Sequence, residues 1–335
     1  MDSSSINLAL DSGGSKVIAL LYDQDFHLIS THRTGSLRGN TTPPEIIRQN
    51  IDSLIEQMNI RGRTIRHVVG LPDGAFLARL REVCTVENVQ ISGEFELGMY
   101  AAELYGDGLL AIAGTGSTLL GREGKKNVSL GGYGASVSDE GSGYCLGREV
   151  FAAAIRDVQK RGDPTLLTSM LIEKIGQPGD NLNTAIFRIY SRSDISPVAC
   201  VASCAPLVSQ AAAQNDPVAQ RILTDAGRLL GEQMAAMVRM NCLSPTLPVT
   251  VSGSVWRSHP ALIREFVRIL RENGISQPIT VPFFEPIIGG IIRHYRDEYG
   301  EFDSAARAHF RRAFSAHTFT VAQQAFDEGL AFSRQ

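Results

Sequence analysis

One short pattern occurs twice in this chain and restricts its fold more than any other feature. Leu8-Ala-Leu-Asp-Ser-Gly-Gly-Ser-Lys-Val17 and Leu110-Ala-Ile-Ala-Gly-Thr-Gly-Ser-Thr-Leu119 share an apolar run, a turn of small residues containing Gly-Ser, and a second apolar run. Each reads as strand, tight turn, strand, with glycine supplying backbone conformations closed to other residues. Such a repeat within 335 residues predicts two related halves facing one cleft, with a hinge near residue 118. The chain is also about twice the length of a typical ~150-residue domain, which agrees with two separate cores. The halves differ at one position, because Asp11 in the first has Ala113 as its counterpart in the second.

The remainder fits an α/β chain. Strands are predicted near residues 26–31, 65–70, 86–91 and 109–113, alternating with helices near 75–82 and 95–104. Another helix follows the Gly/Asn/Pro loop at 35–44; Thr42 and Glu45 stand in capping-box spacing, and Ile47, Ile51, Leu54, Ile55 and Met58 trace one face. A glycine-rich stretch at 131–143 runs into a helix of about 144–160, and helices dominate to about residue 240. Short strands near 249–252 and 279–281 follow, and residues 303–332 read as a helical tail.

Composition excludes several classes. Lys+Arg 32 against Asp+Glu 35 leaves a net charge of −3, so no global field draws nucleic acid or anionic lipid. No apolar run approaches the ~20 residues that span a bilayer, and Met1-Asp-Ser-Ser-Ser lacks the basic start of a signal peptide. A cytoplasmic protein acting on small molecules is expected. Cys84, Cys145, Cys200, Cys204 and Cys242 form an odd, scattered set without a CxxC pair, so no disulfide is expected. Cys200 and Cys204 fall on one face of a predicted helix, as small core residues or as a metal or redox pair.

Glycine turns between strands carry chemistry because successive backbone N–H groups can converge on phosphate oxygens. Two such turns would grip a polyphosphate from opposite sides. Asp11, at the end of an apolar strand, is either a turn cap or a carboxylate that positions Mg²⁺. Lys16 lies beside the first turn but lacks Walker A spacing, so it reads as a phosphate contact or as a surface lysine.

Taken in order, Asp11-Ser-Gly-Gly-Ser-Lys16, Ala113-Gly-Thr-Gly-Ser117, Gly131-Gly-Tyr-Gly134, Ser138-Asp-Glu-Gly-Ser142 and Val251-Ser-Gly-Ser-Val255 resemble the motifs of the N-acetylglucosamine kinase family. That family is part of the BadF/BadG/BcrA/BcrD ATPase group in the actin, hexokinase and Hsp70 superfamily. The resemblance spans about residues 6–295 and implies an α/β fold of two RNase-H-like, actin-like ATPase domains around a central nucleotide cleft. The implied domains are 1–117 and 118–300, with a tail at 301–335. It further implies that Asp11 handles Mg²⁺, and that Ser12, Gly13, Gly14, Ser15, Lys16, Gly114, Thr115, Gly116 and Ser117 hold ATP phosphates. Gly253 and Ser254 would lie along the adenosine, and Asn40, Thr115 and Asp139 would meet sugar hydroxyls. Asn40 also reads as simple turn chemistry, and the acidic pair Asp139-Glu140 as complementing a helix N-terminus.

The sequence departs from its relatives at the catalytic base. Where the family carries an Asp in an Asn-Asp-Ala-like turn, this chain reads Ile91-Ser-Gly-Glu-Phe-Glu-Leu97, which puts Glu94 at the Asp position with Glu96 as a rival. Helix capping is the other reading of Glu94. The expected activity is ATP-dependent phosphorylation of a hydroxyl, the 6-OH, of an amino sugar such as N-acetylglucosamine or glucosamine. The alternatives are a BadF-type ATPase that activates a dehydratase and a non-catalytic ATP- or sugar-binding sensor. Expected partners are sugar and ATP with Mg²⁺ as cofactor, without nucleic acid or membrane, and a homodimer is among the expected states.

Overall fold

A computed structural model describes residues 5–14, 16–39, 42–134, 137–190 and 197–333. The chain divides into two compact units, Met1–Tyr105 with Pro282–Phe319, and Gly106–Val281 with Thr320–Ser333. The first begins with a three-stranded antiparallel meander, β1 (Ser5–Ser12), β2 (Lys16–Tyr22) and β3 (Leu28–Gly35). Helix α1 (Pro44–Met58) then leads to β4 (Thr64–Leu71), α2 (Gly74–Val83), β5 (Thr85–Ile91) and α3 (Glu94–Ala101). Strands β4 and β5 join the sheet in parallel, giving the order β3-β2-β1-β4-β5.

In the second unit β6 (Gly108–Ala113), β7 (Ser117–Glu123) and β8 (Lys126–Gly131) repeat the meander. A helical block follows: α4 (Gly143–Val158), α5 (Leu167–Ile175), α6 (Leu182–Tyr190), α7 (Pro197–Ala202), α8 (Ala205–Ala212) and α9 (Pro217–Met240). Then come β9 (Val249–Ser252), α10 (Pro260–Glu272) and β10 (Ile279–Val281). The chain returns to the first unit for α11 (Pro286–Tyr299) and α12 (Ser304–Ala313), and ends in the second with α13 (Gln323–Asp327) and β11 (Ala331–Ser333). The second sheet runs β11-β10-β9-β6-β7-β8, the same meander plus parallel strands as the first, extended by one edge strand. The two-half α/β architecture read from the repeat is therefore observed.

Alternation along the first sheet builds two cores. Leu8, Leu10, Val17, Ala19 and Leu21 face Ile51, Leu54, Ile55, Phe76 and Leu80 of α1 and α2. Ala9, Ile18, Leu20, Tyr22 and Val69 face Ile287, Ile288, Ile291 and Ile292 of α11, with Phe310 of α12 behind them. Helix α11 packs closely because two glycines meet the backbone: a Cβ on Gly289 would collide with Leu97 O, and one on Gly290 would lie 3.1 Å from Gly70 Cα.

Four expectations are corrected. The boundary lies at residue 105 rather than 117, because residues 108–113 pair with β9 of the second sheet. The region 301–335 is no separate tail: its first part completes the aromatic core of the first unit, and its end pairs with β10. The Thr42/Glu45 capping box is not formed, since Pro43 occupies the cap with Pro44 behind it and no side chain caps the helix. Cys200 and Cys204 do not share one helix; α7 ends at Ala202, and Cys204 caps α8, its Sγ 3.6 Å from Cys200 O. Both residues are buried, and all five cysteines are free thiols.

Candidate active site

In the first unit the site grows from the end of β1. Asp11 shares its face with Ala9, so its carboxylate belongs to the side of the sheet that carries α11. The β1–β2 turn is closed by Gly13 N donating to Lys16 O at 3.0 Å. Ser12 is buried and its Oγ has no hydrogen-bond partner, while Gly14 and Lys16 are exposed. Burial is the largest influence on the Asp11 carboxyl, and with the charge of Glu94 it lifts the pKa from 3.8 to about 6. Arg38 opposes the rise, Glu285 adds to it, and Lys16 opposes it weakly. A carboxylate held against two other acids is a hard-oxygen site whose strain a divalent cation relieves, so the donors present fit Mg²⁺.

The two acids at the start of α3 have different tasks. Gly93 caps the helix, and its N–H donates to Glu96 Oε2 at 3.0 Å, so Glu96 turns back on the helix end in the manner of a capping-box glutamate. Glu94, the first helical residue, instead accepts from Arg38 Nη2 at 2.8 Å; the same nitrogen reaches Ser12 O at 3.4 Å. Arg38 thereby ties the glycine turn of β1–β2 to the N-terminus of α3. Sequence reasoning overlooked Arg38 and Glu285. Arg38 stands in Ser36-Leu-Arg-Gly39, where a lone cation within a glycine-containing loop was the available signal.

The second unit holds the other turn. Gly114 N donates to Gly116 O at 2.9 Å, and the N-terminus of α4 rests on this turn, with Gly143 N on Gly114 O at 2.7 Å and Tyr144 N on Thr115 O at 3.1 Å. Gly143 has to be glycine here, because a Cβ would lie 2.9 Å from Gly114 O. Ser142 caps α4 by accepting from Cys145 N, and Ser117 Oγ donates to Glu140 O at 2.8 Å. Asp139 is buried in a left-handed conformation, φ 56°, and accepts from Gly134 N at 3.1 Å. Burial raises its pKa, while the amides of Gly134 and Ser117 pull it down. Its carboxylate fills the space a Cβ on Gly116 would need, so it holds the glycine turn in shape and does not cap α4.

The Gly253 backbone lies on the end of β6. At φ 100° it adopts a conformation for glycine, and a Cβ would collide with Ala113 O. Ser254 opens a 3-10 turn at Ser254–Arg257, which is fixed by Trp256 Nε1 donating to Ala111 O at 3.0 Å. The structure thus brings Asp11, Ser12, Gly13, Gly14, Lys16 and Glu94 together in the first unit. Gly114, Thr115, Gly116, Ser117, Asp139, Gly253 and Ser254 come together in the second. The expectations for Ser15 and Asn40 lie outside the described residues.

Comparison with known proteins agrees with this architecture. The pattern describing the BadF/BadG/BcrA/BcrD ATPase family matches residues 8–292. An N-acetylmuramic acid/N-acetylglucosamine kinase of Clostridium acetobutylicum is 26% identical over 282 residues, 79% of this chain and 90% of that protein. The solved structure of a candidate N-acetylglucosamine kinase from Porphyromonas gingivalis superimposes with a TM-score of 0.62 at 20% identity, covering 88% of this chain and 99% of that one. A ROK family glucokinase from Streptomyces griseus, solved with glucose and AMPPNP, gives 0.52 at 15% identity, covering 86% and 97%. These solved structures share the fold, two actin-like α/β halves. With that family's pattern matched over residues 8–292 of its 335, the chain belongs to the BadF/BadG/BcrA/BcrD ATPase family.

Proposed function

We propose that this protein is an ATP-dependent carbohydrate kinase that transfers the γ-phosphoryl group to the 6-hydroxyl of an amino sugar, N-acetylglucosamine or glucosamine. The observation that carries this reading is the division of labour at α3: Glu96 is spent on the helix cap, while Glu94 stands beside Arg38 and raises the pKa of Asp11. Glu94 is the base. It accepts the sugar hydroxyl proton as the oxygen bonds to the γ-phosphorus and the bond to the ADP oxygen breaks. Asp11 is the metal-side carboxylate, and Mg²⁺ there would screen phosphate charge. Ser12 to Lys16 and Gly114 to Ser117 take the phosphates, Gly253 and Ser254 take the adenosine, and Asn40, Thr115 and Asp139 take the sugar hydroxyls. The name of the clostridial relative extends the substrate list to N-acetylmuramic acid.

The dehydratase-activator reading finds no support in the thiols. Cys200 and Cys204 are buried, and burial, with Cys200 beside it, pushes the Cys204 thiol up to about 11, which disfavours the thiolate a cluster needs. Of the described helices, none is long and apolar enough to cross a membrane; we place the enzyme in the cytoplasm. The test is ADP release with Mg-ATP and a panel of N-acetylglucosamine, N-acetylmuramic acid, glucosamine and glucose. Sugar-dependent release with an N-acetylated sugar is expected; ADP formation indifferent to every sugar would overturn the assignment.

A further inference from the structure

A second cluster of chemically capable side chains lies in the first unit, on the α11 face of the sheet but away from Asp11. It consists of His67 on β4 with His294 and Glu298 on α11. One ligand atom from each falls within 4.8 Å of the others. His67 Nε2 is 3.6 Å and His294 Nε2 3.4 Å from the same oxygen, Glu298 Oε1.

These separations suit a shared metal better than hydrogen bonds. With bonds of about 2.0–2.1 Å, two ligands on a tetrahedral Zn²⁺ lie roughly 3.3–3.4 Å apart. Hydrogen bonds from imidazole to carboxylate close to about 2.7–2.9 Å. Burial supplies an independent sign. His294 is 3% exposed, yet its Nε2 has no hydrogen-bond partner, whereas its Nδ1 lies 2.7 Å from Tyr22 Oη. An imidazole whose Nδ1–H donates to Tyr22 presents the lone pair of Nε2, the arrangement that orients a metal-bound histidine. Asn7, which stands between Tyr22 and His67 in strand register, leaves its buried Oδ1 unpartnered as well.

The backbone is shaped for this cluster. Opposite β1 the register of β4 skips a residue, so Ile6 faces Ile65 while Asn7 faces His67. A bulge at Arg66 lets Ile65 and Val68 stay in the core under α1 and α2 while His67 turns with Val69 toward α11. The rings of His67 and His294 lie 4.3 Å apart, and the partly exposed Glu298 leaves an approach from solvent.

We propose that His67, His294 and Glu298 form a binding site for one Zn²⁺, a site separate from the phosphoryl-transfer carboxylates. The ion fastens the C-terminal half of α11 to β4, and a water completes the coordination.

The test uses the full chain, stripped with EDTA, desalted and titrated with Zn²⁺ in excess Mg²⁺ without nucleotide. One equivalent should bind, the melting temperature should rise by a few degrees, and Co²⁺ should give the intense visible bands of a tetrahedral site. Glu298→Gln and His67→Gln are partly exposed changes whose folding is checked by melting in EDTA. Each should weaken Zn²⁺ roughly tenfold or more. Asp11→Asn should bind Zn²⁺ as the wild type does. So should His27→Ala, which disrupts the exposed Asp23-Asp25-His27 group on the surface. Absence of Zn²⁺ binding at tens of micromolar, full binding in both Glu298→Gln and His67→Gln, or loss of binding in His27→Ala would overturn the proposal.

Discussion

Asp11 carries a proton to a higher pH in the native chain than in the unfolded one, from an ordinary 3.8 to about 6, because burial and Glu94 oppose its charge. Between those values the native state binds more protons, so stability falls as pH rises from about 4 to about 6 and is level above that. At ~1.4 kcal/mol per pH unit the full cost is about 3 kcal/mol, reduced to about 1–2 by the open part of the residue's surface. Asp11→Asn should therefore be more stable than wild type above pH 6, match it near pH 4, and lose Mg-dependent turnover. Urea melts from pH 4 to 8 measure this, and a stability gap that does not change with pH would remove Asp11 as its source. The α3 acids give a second comparison. Glu94→Gln should lower kcat about 10²–10⁴-fold with nucleotide affinity kept. Glu96→Ala should cost about 0.5–1 kcal/mol of stability with modest kinetic effect. Reversed results would move the base to Glu96; turnover unaffected by either would favour the sensor. At this scale the sequence was legible where residues are gathered by a local motif, as Asp11 and the glycines are at their strand turns and Glu94 at the start of α3. Arg38 and Glu285 escaped because their link to Asp11 is made by loops and helices remote in sequence.

The two hairpins, alike in sequence, differ in register. Asp11 faces Ile18, seven residues on, while Ala113 faces Ser117, four residues on, so the strand partner of the aligned residue shifts by three positions. The gapless alignment of the two motifs thus holds through the first strand and fails after the turn. The reason is physical: β6 closes directly onto the N-terminus of α4, whose amides take the carbonyls of Gly114 and Thr115. The glycines of the two units also have distinct tasks. A Cβ on Gly14 meets open space, whereas one on Gly253 collides with the backbone of Ala113 at a positive φ. Gly14→Ala should therefore change stability by less than about 0.5 kcal/mol, and Gly253→Ala should cost roughly 2–4 kcal/mol. Equal costs in chemical denaturation would show that the close approach of Gly253 to β6 is not tight in solution. The strand-and-turn pattern named the glycines; only the parallel pairing of β6 with β9 shows which one is locked by backbone.

The first unit is discontinuous in sequence, and this was the least legible property of the chain. The sequence read as a helical tail over 303–332, without the helix at Pro286–Tyr299, and gave no sign that the chain returns across 176 residues, Gly106–Val281, to cover the sheet that opens it. The physical demand for that return is plain in the core: Ile18, Leu20 and Tyr22 are almost wholly buried, and on that face they meet Phe284, Ile287, Ile288, Ile291, Ile292, Phe310 and Phe314. At about 1.5–3 kcal/mol for each large apolar side chain returned to water, uncovering this face exceeds the ~5–15 kcal/mol by which a domain is usually stable. Removing Arg307, whose Nη2 donates to the buried Glu103 carboxylate at 2.6 Å, would also take this ion pair from a buried charge. Residues 1–105 expressed alone should therefore fail to fold or should aggregate. The same segment joined to residues 282–319 by a short flexible linker should give a cooperative unfolding transition and dispersed amide resonances. A fragment 1–105 that folds cooperatively by itself would show that α11 and α12 are accessories to the first sheet and that one face of helices suffices to hold it.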